Sequence, residues 1–158
     1  MKKSKIVFLI REGEDISSFL GYIKDMQNLF KREVLFFILK KKRLSEIFET
    51  HFLASALAEE GAQDLALEEL KRISPETRSF IKDLLDQLKL ISLENFEILI
   101  VNEDLFKEVK NLLDREFRVE LFIISPEVNK RFFSKSKGLK RLVTEFSVPF
   151  ITLIPKTP

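Results

Sequence analysis

Five short apolar runs, separated by segments of helical period, decide what this chain can fold into. They are Ile6 to Ile10, Val34 to Leu39, Phe96 to Val101, Val119 to Ile124 and Phe150 to Ile154. The first two are apolar at every position, as strands are where helices cover both faces of a parallel sheet. The last alternates more, with Thr152 in its middle, and reads as an edge or interface strand.

The intervening segments carry helical stripes. Ile16, Phe19, Leu20, Ile23 and Phe30 share one face, with Asp15 as the expected N-cap, and Leu105, Phe106, Val109, Leu112 and Leu113 form a second after Asn102. Leu139, Leu142, Val143 and Phe146 make a third, which ends at Ser147-Val148-Pro149 before the last strand. From Arg43 to Ser92 there is no strand pattern. Leu44, Ile47, Phe48 and Phe52 open one helix that Gly61 ends, and Leu65, Leu70 and Ile73 mark a short second one. Ser74-Pro75-Glu76 then supplies an N-cap with proline at the first helical position, ahead of Phe80, Ile81, Leu84, Leu85, Leu88 and Ile91. The order β-α-β-(α-α-α)-β-α-β-α-β predicts an α/β fold: one doubly wound, mainly parallel five-stranded sheet with right-handed crossovers. Residues 1–158 are expected to form a single domain, with a helical insertion between strands 2 and 3 at about 43–92.

Composition narrows the function classes. With no cysteine, disulfides, thiolate nucleophiles and cysteine metal sites are excluded, and His51, the only histidine, excludes a multi-histidine metal site. The net charge of +2 gives no global case for nucleic-acid binding. No apolar run approaches a membrane span or a signal-peptide core, so the expected location is cytoplasmic. Sixteen phenylalanines with abundant Lys and Glu hint at a thermophilic source. Glu59-Glu60 and Glu68-Glu69 read as solvated helix residues, and Phe132-Phe133 as buried beneath a loop. A receiver-type phosphoacceptor is rejected because the third strand ends at Asn102, not at an aspartate.

The order of elements resembles the universal stress protein family. The likeness rests on the long insertion, on Phe96 through Asn102-Glu-Asp-Leu-Phe-Lys-Glu-Val-Lys to Phe122-Ile-Ile-Ser125, and on the closing Leu142-Val-Thr-Glu-Phe-Ser-Val-Pro-Phe-Ile-Thr-Leu-Ile154. The resemblance implies a sheet of order 3-2-1-4-5, related to the adenine nucleotide alpha hydrolase-like folds, and a dimer through the last strand. It also implies ATP binding in members with an aspartate after strand one and a loop after strand four. That loop reads glycine, two residues, glycine, nine residues, then glycine with Ser or Thr.

This chain departs at both places. Arg11-Glu12-Gly13 follows strand one, and Pro126 and Glu127 stand where glycines would let the backbone approach phosphate. Only Ser136-Lys137-Gly138 stands in for the last glycine and hydroxyl. The expectation is therefore a non-catalytic universal stress protein-like domain without a cofactor or metal. It would act in the stress response as a dimeric regulatory protein that binds a protein partner or an anionic small molecule. The alternative is a divergent nucleotide-binding or slowly hydrolysing member, with Lys137 and Ser136 on the phosphates and Arg11 on the adenine side.

Two candidate sites follow. The first is a basic rim at the strand ends, with Arg11, Lys40-Lys41-Lys42-Arg43, Ser125, Lys130, Arg131, Lys135, Ser136, Lys137 and Gly138. It is read either as an anion site or, more simply, as a solvated surface neutralised by Glu12, Glu14, Asp15, Glu103 and Glu127. The second is a homodimer interface along the last strand, through Val148, Phe150, Ile151, Thr152, Leu153 and Ile154.

Overall fold

Strand β1 (Lys3–Arg11) forms the spine of the sheet, and Ile6, Val7, Phe8, Leu9 and Ile10 along it are all buried to 0% exposure. The computed structural model describes residues 3–41, 74–102, 104–114, 117–133, 144 and 147–154. Around β1 lie β2 (Glu33–Leu39), β3 (Phe96–Val101), β4 (Phe117–Ile124) and β5 (Phe150–Thr152), in the order β3-β2-β1-β4-β5. Every neighbouring pair is parallel. The predicted doubly wound topology is the observed one.

Parallel neighbours need crossovers, and these sort the helices by face. Ile6, Phe8 and Ile10 on β1, with Val34, Phe36 and Ile38 on β2, pack against α1 (Leu20–Phe30) and α2 (Pro75–Leu90) through Leu20, Ile23, Ile81, Leu84 and Leu88. The alternate set, Val7, Leu9, Leu35, Phe37 and Leu39, packs with Leu105, Val109 and Leu112 of α3 (Leu105–Leu113). Val128 and Phe133 complete this second layer from the short helix α4 (Pro126–Val128) and the π-helical turn Asn129–Phe133 that continues it. The Phe133 ring meets Phe106 edge-on at 6.1 Å, as the expected burial of Phe133 requires.

Local chemistry sets the helix starts. Ser74 caps α2, its hydroxyl oxygen accepting the Thr77 N–H at 3.3 Å with Pro75 at the first helical position, as predicted. Asp15 does not cap α1 directly. It accepts the Ser17 N–H at 3.0 Å and the Ser17 hydroxyl at 2.7 Å, and so holds the 3-10 turn Ser17–Phe19 that leads into the helix. Phe30 also departs from the predicted stripe. It is 38% exposed, and Met26 extends the packed face in its place.

The far ends of β1, β2 and β3 are joined by charge, with the buried Lys5 ammonium 2.9 Å from Glu97 and 3.5 Å from Glu33. Strand β5 lies at the sheet's edge and is shorter than its apolar run, pairing Phe150, Ile151 and Thr152 with Phe122, Ile123 and Ile124. Of the insertion, only α2 belongs to the described residues. The helices expected around Leu44 and Leu65, with His51 and the Glu59-Glu60 and Glu68-Glu69 pairs, lie outside them, as do Leu139, Leu142, Val143 and Phe146.

The Phe36 ring sits between Phe8 at 6.1 Å and Phe96 at 6.0 Å, in the middle of the first layer. Phe36→Ala is expected to lower the unfolding free energy by about 3–5 kcal/mol. Leu90→Ala, at a site 84% exposed, is expected to change it by less than about 0.5 kcal/mol. Urea denaturation of the two variants checks the pair.

Candidate functional site

In a doubly wound sheet, the crevice for ligands opens beyond the C-terminal strand ends, where successive crossovers leave in opposite directions. Here that point lies between β1 and β4. A cleft of about 530 Å³ opens there, lined by residues 11–15, Ser18, Phe19, Lys41, Pro126 and Glu127. Its floor is a tight turn after β1, closed by the Glu14 N–H on the Arg11 carbonyl at 3.1 Å. Gly13 takes φ 86 in that turn, and a Cβ there would lie 3.0 Å from the Lys41 ammonium. Both the backbone conformation and the close approach therefore favour glycine.

Two carboxylates flank Gly13 and do different work. Glu12 is only 3% exposed. Its N–H continues the sheet to the Leu39 carbonyl at 2.9 Å. One carboxylate oxygen accepts the Lys41 N–H at 3.0 Å, and the other accepts the Thr77 hydroxyl. The Thr77 and Ser74 hydroxyl oxygens lie 2.9 Å apart. One buried side chain thus ties the end of β2 to the first turn of α2, the two points between which residues 42–73 run.

Glu14 turns toward β4 instead. Its Oε1 accepts the Arg11 N–H at 3.1 Å and the Ser125 hydroxyl at 2.6 Å, and its Oε2 accepts the Glu127 N–H at 2.9 Å. Burial pushes this carboxyl above its ordinary value, against the hydrogen bonds from Ser125, Glu127 and Arg11 that favour the charged form; the nearby Glu127 charge adds to the rise. Asp15, at the solvent edge, is held below its ordinary value by its two hydrogen bonds from Ser17.

The proposed site residues separate accordingly. Arg11 lines the cleft, whereas Ser125 is fully buried behind it, with its hydroxyl given to Glu14, which is on the lining. Lys130 and Arg131 are exposed on the π-helical turn, with the Arg131 guanidinium 6.0 Å from the Phe132 ring. Lys40 is no part of a rim: it is 5% exposed, and its N–H continues the ladder to the Val101 carbonyl at 2.8 Å. Lys42, Arg43, Lys135, Ser136, Lys137 and Gly138 lie outside the described residues. Glu12 and Glu14 are not solvated counter-charges, as the sequence reading has them, but hydrogen-bonded parts of the fold. The lining holds four carboxylates, Glu12, Glu14, Asp15 and Glu127, against the cations Arg11 and Lys41.

Among the described residues, no three His, Cys, Asp or Glu side chains gather as a metal site, and no helix is long and apolar enough to cross a membrane. The chain matches no protein-family model and no curated protein sequence. Its agreement with the universal stress protein pattern is therefore one of fold: strand order, parallel pairing and the position of the crevice.

Thr77→Val keeps the shape of the side chain and removes the donor to Glu12. It is expected to cost about 1.5–3 kcal/mol in urea denaturation, as loss of a hydrogen bond to a buried charged group does. The raised Glu14 value predicts a sign for the pH dependence. Folded Glu14 binds its proton more tightly than unfolded Glu14, so its contribution to stability is complete below the ordinary value of 4.5 and is lost as pH rises through the raised value. Glu14→Gln should remove that downward slope above pH 4.5, whereas the Asp15 contribution declines only as pH falls below 3.8. Denaturation midpoints of both proteins across this range measure the difference.

Proposed function

We propose that this chain is a non-catalytic domain of the universal stress protein type, a cytoplasmic, homodimeric regulatory protein that works by binding rather than by turning over nucleotide. The observation that carries this reading is the seat of Glu14. At the crevice between β1 and β4, where a nucleotide's phosphates would look for backbone and hydroxyl donors, the Ser125 hydroxyl and the Arg11 and Glu127 amides already serve an internal carboxylate. A phosphate arriving there meets both an occupied site and a like charge. Pro126 adds to this, because it contributes no N–H at the first position of α4.

The edge strand supports the dimer. Phe150, Ile151 and Thr152 of β5 and Leu153 after it are half-buried, Ile154 is 79% exposed, and among the described residues one side of the strand has no neighbour in the sheet order. A second copy of the strand would supply the missing ladder and cover these side chains in one isologous contact. The binding partner is then a protein or an anionic small molecule, and the stress-response role rests on the resemblance of pattern.

Calorimetry of the wild-type protein with Mg-ATP is expected to show no binding in the micromolar range. Micromolar affinity would replace this reading with that of a divergent nucleotide-binding protein. Sedimentation is expected to give a dimer, and Thr152→Pro a folded monomer, because Pro149 and Leu153 bond toward β4 and the Thr152 N–H faces the outer edge. A wild-type monomer at high concentration contradicts the dimer, and an unchanged dimer in the variant moves the interface away from β5.

A further inference from the structure

We propose that Glu14 is a displaceable internal ligand, whose carboxylate fills an oxyanion cradle that an external phosphate or carboxylate enters only once Glu14 has left it. This deepens the reading of the crevice given above and rests on it. The cradle draws on separate parts of the chain: the Arg11 N–H at the end of β1, the Ser125 hydroxyl at the end of β4, and the Glu127 N–H beyond it. All of these donors converge on one carboxylate, the geometry by which proteins hold an external oxyanion.

The cradle and its occupant differ in how firmly they are held. Ser125 is 0% exposed, its N–H bonded to the Leu9 carbonyl at 3.0 Å and its hydroxyl oxygen accepting the Val128 N–H at 3.3 Å. Arg11 lies in the β1–β2 ladder, opposite Leu39. Glu14 instead projects from the turn beside Gly13, half-buried, with a desolvation cost on its charge and Glu127 nearby to repel it. Ser125 and Arg11 therefore remain in place when the occupant swings out. The cleft into which they would then open has room for a small anion, with Arg11 and Lys41 on its lining to offset the added charge.

The test compares wild-type protein with Glu14→Ala by calorimetric titration of inorganic phosphate and of acetate, at constant ionic strength so that screening does not vary. Glu14→Ala is expected to bind at least one of the two anions saturably, about tenfold or more tightly than wild type, because the competing charge has gone from the donors. Phosphate alone, or acetate alone, identifies which oxyanion the cradle prefers and supports the proposal in either case. A folded Glu14→Ala that binds neither overturns it, as does a wild-type protein that binds them equally well. If Glu14→Ala does not fold, Glu14→Gly, which likewise empties the cradle, is titrated by the same criteria. The outcome is separable from the ATP experiment, since Mg-ATP binding is read on wild type and this gain on the variants.

Discussion

Everything in this structure follows from a central strand that has no side facing water. Five successive residues of β1 are wholly buried, so helices must cover both of its faces. The crossovers then leave β1 and β4 in opposite directions, and a crevice opens between the strand ends. The same burial imposes a second demand. Where β1 stops, the chain must turn from a dry interior to solvent within a few residues, and every backbone group left there needs a partner.

Glu12 and Glu14 meet that demand. They sit on either side of Gly13, and each carboxylate accepts from groups at the ends of the elements that meet around the turn. Glu12 serves the β2 end and α2, and Glu14 serves the β1 end, β4 and α4. A buried carboxylate is favourable only when its lone pairs are well used, and both of these are. The consequence for function is direct. Donors that could have faced a ligand face the protein's own side chains, so the crevice keeps its shape while losing the simplest route to phosphate recognition.

The strands and their cover by helices on both faces were legible in the sequence, because hydrophobic period reports burial and burial was nearly complete; the strand order came from the resemblance to the universal stress protein pattern. The Ser74-Pro75 helix start was legible too, since a cap acts over only three residues. The site was not. Thr77 is 65 residues from Glu12, and Ser125 is 111 residues from Glu14, so nothing local distinguishes these glutamates from surface charges. Lys40 misled for a related reason: it sits in a run of four cations, yet it directly follows β2, which is covered on both faces, and is buried with it. The available clue was Gly13, a lone glycine two residues beyond β1, which marks a tight turn at the end of the buried strand.

The central claim is that Glu14 occupies the crevice as a partly desolvated acceptor for the protein's own donors. Its side-chain carboxyl resonance, followed by NMR through an acid titration, tests this most directly. The account predicts a midpoint above the ordinary 4.5, with the Arg11 and Glu127 amide resonances shifting on the same curve as their acceptor is protonated. A Glu14 that titrates at the ordinary carboxylate value, with those two amides unmoved, would contradict it.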